Sequence, residues 1–225
     1  MKKAISLPLV SVKMAQSLDG KITTHTGESK WITSEKSRAY VQKLRALHDA
    51  ILVGKNTAIV DNPSLNLRGE NSNRKQPWRI VLDPHYQLKA NSKVFNLDGG
   101  RSCKTIRVVF ESVLAEKKID QKKSFVILPA KDKQGRIDLK SLLRSLKGLG
   151  VESILVEGGG ETAWSFISEK LVQKVYWFVA PKFIGGKNAL TSLEGCGVKG
   201  VQKAIPVKNI KIKKMGCDFL VEGNL

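Results

Sequence analysis

The chain has 225 residues and a mass of 24.8 kDa, with 41% hydrophobic and 26% charged residues. Domains run to roughly 100–200 residues, so this length makes one large domain or at most two small ones, and the composition excludes disordered and fibrous classes. Lysine and arginine number 39 against 20 acidic residues, a formal charge of +19 that favours anionic partners.

Thirty of the 39 basic residues are lysines spread along the whole chain. Nucleic-acid readers cluster arginine and interleave aromatics. The charge is therefore read as a solvated surface first and an attraction for small phosphates second, with no nucleic-acid partner. No apolar run approaches the ~18–20 residues of a membrane span. The start, MKKAISLPLVSV, fails as a signal peptide: Ser6 and Pro8 interrupt it, and Lys13 follows without a small-residue cleavage site. The expectation is a cytoplasmic protein with no membrane partner. Cys103, Cys196 and Cys217 are too sparse for a disulfide framework. His25, His48 and His85 sit in no zinc motif, so no metal site is expected.

Residues 9–15, LVSVKMA, read as a strand, and residues 34–47 as a helix capped by Thr33 or Ser34 with Tyr40, Leu44 and Leu47 on one face. AILV at 50–53 has the apolar run of a buried strand. Thr57 is a candidate cap for a brief helix that ends before Pro63. RIVLD at 79–83 is a further buried strand, stopped by Pro84; TIRVVF at 105–110 and SFVIL at 124–128 continue the pattern. Leu139, Leu142, Leu143 and Leu146 form a helical stripe that closes at Gly148 or Gly150. SILVE at 153–157 is a strand, GGG at 158–160 a turn, 161–170 a helix and KVYWFVA at 174–180 a strand. The tail, 206–222, reads as a hairpin turning near Gly216, where lysines between Val207, Ile210 and Ile212 discourage pairing with other chains. This alternation predicts an α/β fold with a mostly parallel sheet closed by an antiparallel C-terminal hairpin. Residues 96–104 are taken as a surface loop inside a single domain spanning 1–225.

Three segments carry chemistry. In SILVEGGGETAWSF, 153–166, a buried strand runs into glycines and then a helix. Glycine lets backbone approach a ligand, a helix N-terminus offers N–H groups to an anion, and α/β sheets bind ligands at the carboxyl ends of strands. A nucleotide pyrophosphate is the natural occupant; a tight turn without a ligand is the plain alternative. Glu157 is either a substrate acceptor or an exposed strand end. In KMAQSLDGKITTHTGESKWIT, 13–33, a strand ends in a long loop rich in hydroxyls, with Trp31 before the helix. Such loops serve sites, although Trp31 stapling the helix explains it equally well. In LRALHDAILVGKNTAIVDNPSLNLRG, 44–69, Arg45 and Arg68 offer guanidinium forks for a phosphate ester, and Thr57 and Asp61 lie one helical turn apart. These residues divide evenly between site and scaffold.

Taken together and in this order, KMAQSLDGKI, TGESKWIT, LRALHDAILVGKNTAIVDNPSLNLR, QPWRIVLD, ILVEGGGETAWSFI and VAPKFIGG resemble the blocks of one family. It is the reductase domain of the bacterial riboflavin-biosynthesis protein RibD, of the dihydrofolate-reductase-like superfamily. The resemblance implies a dihydrofolate-reductase-like sheet with helices on both faces. It implies NADPH-dependent reduction of 5-amino-6-(5-phosphoribosylamino)uracil to the 5-phosphoribitylamino compound, and a homodimer. It sets the cofactor against Ala15, Trp31, Thr57 and Asp61, and its pyrophosphate on Gly159, Gly160, Glu161, Thr162, Ala163, Trp164 and Ser165. Substrate contacts fall to Ser29, Arg45, Leu65, Arg68 and Glu157. Lys13 matches a lysine of the family's first strand. Lys13, Asp61, Glu157 or a water is left to supply the proton that accompanies hydride transfer.

Two departures qualify this. Neither H-x-E nor P-C-x-x-C is present, the strings a zinc deaminase needs. The chain is therefore expected to rely on a separate deaminase, whether it is a stand-alone reductase or an excised domain. Pro84 stands where some relatives carry a small polar residue that meets the cofactor, and it is left out of the site. The nearest rival is a reductase of another pterin or pyrimidine, which needs no pair of arginines. A basic nucleic-acid-binding module and a nucleotide-binding protein without catalysis are further rivals.

Overall fold

The computed structural model describes residues 6–96, 104–116 and 125–225. Residues 97–103 of the expected surface loop, Cys103, Ser124 and the first five residues of the leader lie outside the described residues. The chain divides into two compact units. The first takes 45–154 with the chain start through Leu9; the second takes 10–44 and 155–225.

In the first unit, β2 (Ala50–Gly54), β3 (Trp78–Leu82), β4 (Thr105–Phe110) and β5 (Val126–Ala130) pair in that order, all parallel. β2 and β4 are buried throughout, which is why β2 reads as an unbroken apolar run and β4 as a mainly apolar one interrupted at Arg107, rather than as alternating strands. β5 begins two residues later than expected and carries Pro129, which is tolerated because β5 ends the pairing order of this unit. A short helix and a small hairpin were not expected. α3 (Glu111–Glu116) follows β4 directly. β6 (Asp132–Lys133) and β7 (Arg136–Ile137) form a small hairpin whose turn residues Gln134 and Gly135 both have positive φ, as a two-residue hairpin loop requires.

α4 (Leu139–Gly148) starts at Asp138, whose carboxylate accepts from the Ser141 N–H at 3.1 Å. All four leucines of its stripe are buried, each worth roughly 1.5–3 kcal/mol of transfer free energy. The helix closes at Gly150, with φ +90°, where the Val151 N–H reaches the Leu146 carbonyl and the Gly150 N–H reaches that of Lys147. That pair of bonds is the left-handed glycine stop for a helix end.

In the second unit, β1 (Leu9–Ser17) pairs parallel with β9 (Lys174–Ala180). β9 pairs antiparallel with β11 (Asp218–Asn224), and β11 with β10 (Lys208–Met215). The hairpin turns at Gly216, with φ +71°, as expected. α1 (Glu35–Ala46) buries Val41 and Leu44 against Leu155, Phe178, Met215 and Leu220, with Tyr40 packed beside them. Leu47 departs from expectation: it is 70% exposed, because the helix ends at Ala46 before the stripe reaches it. Of the two candidate caps, Ser34 takes the position, its hydroxyl accepting from the Ser37 N–H at 3.4 Å. Asp218, 1% exposed, secures this helix start by accepting from the Ser34 N–H, the Ser34 hydroxyl and the Ser37 hydroxyl at 2.6–2.7 Å. Burial pushes its carboxyl pKa up, and the hydrogen bonds from Ser37 and Ser34 outweigh that and hold it below the ordinary value.

No helix among the described residues is long and apolar enough to cross a membrane.

Candidate active site

β8 (Ser153–Val156) delivers the chain to Glu157, which is half-buried, and then to the glycine turn. Gly159 takes φ +74° and ψ 128°, a backbone only glycine adopts without strain. α5 (Gly160–Ser168) starts there with no side chain capping it. A helix start without a side-chain cap, entered through a left-handed glycine, suits the oxygens of an anionic ligand. The seven residues expected to hold the pyrophosphate do not present alike. Glu161 is exposed, and Thr162 and Trp164 are half-buried. Ala163 is fully buried against the unit's interior, and Ser165 donates its hydroxyl back to the Glu161 carbonyl at 2.8 Å. Gly160 is buried beneath the segment carrying Thr191 and Glu194.

Lys13 and Ala15 sit two apart on β1 and so share one face. Lys13 lies in register with Tyr176 of β9, which lies in register with Glu222 of β11. Glu222 accepts from Lys213 at 2.7 Å and from the Tyr40 hydroxyl at 3.3 Å. Burial raises the Glu222 pKa, but the hydrogen bond and charge of Lys213, with Lys174, bring it below the ordinary value. Burial, followed by the charge of Glu222, raises that of Tyr40.

The polar loop after β1 is not loose. Asp19 accepts from the Ser17 hydroxyl and from the N–H groups of Gly185 (2.7 Å) and Ile184 (3.1 Å). The Ser17 hydroxyl chiefly, then the Gly185 N–H, hold its pKa at about 2. Lys21 donates to the Ala189 carbonyl at 3.0 Å. Farther along, Ser29 is half-buried, and Trp31 is 64% exposed under the Arg38 guanidinium, 4.5 Å from its ring centre. Arg38 in turn donates to the Thr33 carbonyl at 2.7 Å. Trp31 is therefore presented on the surface, stacked on a cation, rather than buried as a staple.

The remaining candidates belong to the first unit. α2 (Lys55–Val60) is entered through Gly54, so Thr57 is not its cap; it sits inside the first turn. Asp61 ends the helix, its N–H bonded to the Thr57 carbonyl at 3.0 Å. A carboxylate at a helix C-terminus opposes the helix dipole, so Asp61 is not placed there for the helix's own stability. The chain then runs through Asn62 (φ +40°) and Leu65 (φ +54°), two non-glycine residues in left-handed conformations. The Leu65 side chain is 3% exposed and belongs to a core cluster with Ile51, Val53 and Val81. Its backbone, not its side chain, is left to meet a ligand. The Arg68 guanidinium donates to the Ser64 hydroxyl at 2.6 Å, and Arg45 donates to the Asn66 carbonyl at 3.3 Å.

Two buried arginines escaped the sequence reading. Arg79, 1% exposed, donates to the carbonyls of Ser64, Val94 and Asn96 at 3.0–3.2 Å. Arg107, also 1% exposed, pairs with the buried Asp83 and lies 3.4 Å from the centre of the Tyr86 ring. Their signal in the sequence is a lone arginine inside an otherwise apolar strand, WRIVL and TIRVVF.

The fold is of the dihydrofolate-reductase type. The chain is similar to a dihydrofolate reductase from Enterococcus faecalis at a TM-score of 0.50 and 11% identity, covering 96% of each chain. The model of the RibD C-terminal domain matches residues 8–221, and the chain belongs to that family. Among relatives, it is 36% identical over 218 residues to the riboflavin biosynthesis protein RibD of Actinobacillus pleuropneumoniae, covering 96% of this chain and 56% of that protein. It is 33% identical over 216 residues to a 2,5-diamino-6-ribosylamino-4(3H)-pyrimidinone 5′-phosphate reductase of Methanothermobacter thermautotrophicus, covering 96% of this chain and 97% of that one. A solved structure of a diaminohydroxyphosphoribosylaminopyrimidine deaminase/5-amino-6-(5-phosphoribosylamino)uracil reductase from Thermotoga maritima matches with a TM-score of 0.79 and 28% identity, covering 97% of this chain and 56% of that one. The chain thus spans a little over half the length of the RibD proteins it matches.

Proposed function

We propose that the chain is an NADPH-dependent reductase that converts 5-amino-6-(5-phosphoribosylamino)uracil to 5-amino-6-(5-phosphoribitylamino)uracil. The observation that carries the reading is the convergence of two guanidinium groups on one short segment. Arg45, from the end of α1, reaches the Asn66 carbonyl, and Arg68, within the segment, reaches the Ser64 hydroxyl, so both cations sit at residues 64–68. Forked cations of this kind suit the dianionic phosphate of a ribosyl substrate. A pterin reductase has no use for the pair.

When bound, NADPH supplies the hydride. The start of α5, with its left-handed Gly159 and no side-chain cap, is suited to the cofactor's pyrophosphate. Trp31 offers an exposed ring beside which a flat group can lie. Thr57 and Asp61, joined through one helical turn, offer polar groups to the cofactor, and Ser29 and the Leu65 backbone to the substrate. Lys13, Asp61 and Glu157 are the side chains of this chain able to move the accompanying proton. In this reading the chain acts in the cytoplasm as a homodimer, on a substrate released by a separate deaminase.

The test follows NADPH oxidation by absorbance, with the deaminated substrate made in situ and NADH run in parallel. The 2,5-diamino pyrimidinone phosphate is offered separately. Turnover of the uracil with NADPH supports the proposal. Turnover of the diamino compound alone moves the substrate to that of the methanogen relative. Failure to bind NADPH sinks the assignment of the glycine turn.

A further inference from the structure

Residues 62–68 follow an irregular path that is held from several sides. The Asn62 side-chain oxygen accepts from the Lys93 N–H at 2.9 Å, and the Leu67 N–H donates to Gln76 at 2.8 Å. Between these lie the left-handed Asn62 and Leu65, backbone conformations that persist only where the surroundings enforce them. Ser64 is the centre of the enforcement. It is 7% exposed; its carbonyl accepts from the buried Arg79 at 3.2 Å, and its hydroxyl accepts from Arg68 at 2.6 Å.

We infer that Ser64 and Arg79 are positioning residues for Arg68. Arg79 fixes the Ser64 backbone by tying it to the carbonyls of Val94 and Asn96. Ser64 then holds one terminal nitrogen of the Arg68 guanidinium. A guanidinium is a rigid planar fork, so holding one nitrogen sets the direction of the whole group. Arg68 thereby meets a phosphate already aimed, which lowers the ordering cost of binding. The inference rests on the proposed sugar-phosphate substrate; it adds that affinity for the phosphate depends on a hydroxyl that never touches it.

The test compares Ser64→Ala, Ser64→Cys and Ser64→Thr in the full chain. It reads the KM for the phosphoribosylamino substrate, the KM for NADPH, the melting temperature and the affinity for ribose 5-phosphate by calorimetry. Removing a hydrogen bond to a charged group predicts a rise of about tenfold in substrate KM and in ribose 5-phosphate Kd for the alanine and cysteine variants. The NADPH KM should stay within twofold, and threonine, which keeps the hydroxyl, should restore the wild-type values. A substrate KM within twofold of wild type in a folded alanine or cysteine variant overturns the inference. So does an equal rise in both KM values, which marks a merely structural role. Should the wild type turn over no pyrimidine while Ser64→Ala still weakens ribose 5-phosphate, the assigned reaction falls and the positioning role stands. Should ribose 5-phosphate bind wild type and variants alike, the positioning role falls.

Discussion

The Gly160 backbone lies so close to Thr191 that a β-carbon at position 160 would stand 2.7 Å from the Thr191 carbonyl oxygen. The same β-carbon would meet the Glu194 side chain at 2.7 Å. The contact is with backbone on one side, so no rotamer change relieves it. Gly159 and Gly160 are therefore glycines for different reasons, one for its dihedral angles and the other for the space above it.

Gly160→Ala is expected to destabilise the chain by about 1–3 kcal/mol through overpacking, and to weaken NADPH binding by displacing the start of α5. Gly148→Ala is the control. Nothing lies within 4 Å of its added β-carbon, so it should be neutral or stabilising by about 0.5–1 kcal/mol. Thermal melting and NADPH fluorescence titration of the two variants measure both effects.

Glu157→Gln should lower turnover by at least tenfold while leaving NADPH affinity within about twofold, as expected for a group that handles substrate and protons rather than cofactor. Steady-state kinetics beside a direct NADPH titration separate the two. Equal losses would remove Glu157 from the substrate side.

Asp218→Asn is expected to destabilise by about 1–3 kcal/mol, since one carboxylate oxygen receives all three donors at the start of α1. Ser37→Ala should cost less. The double variant should fall short of the sum by more than about 0.5 kcal/mol, because both act through the same hydrogen bond. Urea denaturation of the four proteins gives the cycle.

Asp19 makes a pH prediction. Its folded pKa of about 2 lies below the ordinary 3.8, so its contribution is complete above about pH 4 and is lost as the pH falls toward 2. Melting temperatures of wild type and Asp19→Asn should differ at pH 5–7 and converge over that acid window. Curves that stay parallel through it would show that the Gly185 and Ile184 contacts do not depend on the charge.

Much of the fold was legible because β2 to β5 are short, largely apolar runs, broken in β3 and β4 by a single arginine each, and because the leucines of α4 recur at helical spacing. β9 and the hairpin turn at Gly216 were equally plain. The misses share a cause. α3 and the β6–β7 hairpin are too short to show a period. Thr57 looked like a cap because threonine caps helices, but Gly54, at the end of β2, already takes that place. The +19 charge was read as solvent-facing, which hid Arg79 and Arg107. Their partners are carbonyls and a carboxylate far along the chain, and no local pattern announces them. In the site, the glycine turn was visible while the reason for Gly160 was not, because Thr191 and Glu194 come from a later loop.

Arg79 grips residues 64, 94 and 96 by their main-chain carbonyls. Every amino acid carries the same carbonyl. That hold is thus indifferent to side-chain identity, whereas Asn62 and Leu65 secure the loop through their own side chains, which leaves positions 66 and 68 as the ones to exchange. That makes the segment a natural place to alter substrate preference, whether by mutation over generations or by deliberate redesign, while the strand beneath it stays unchanged.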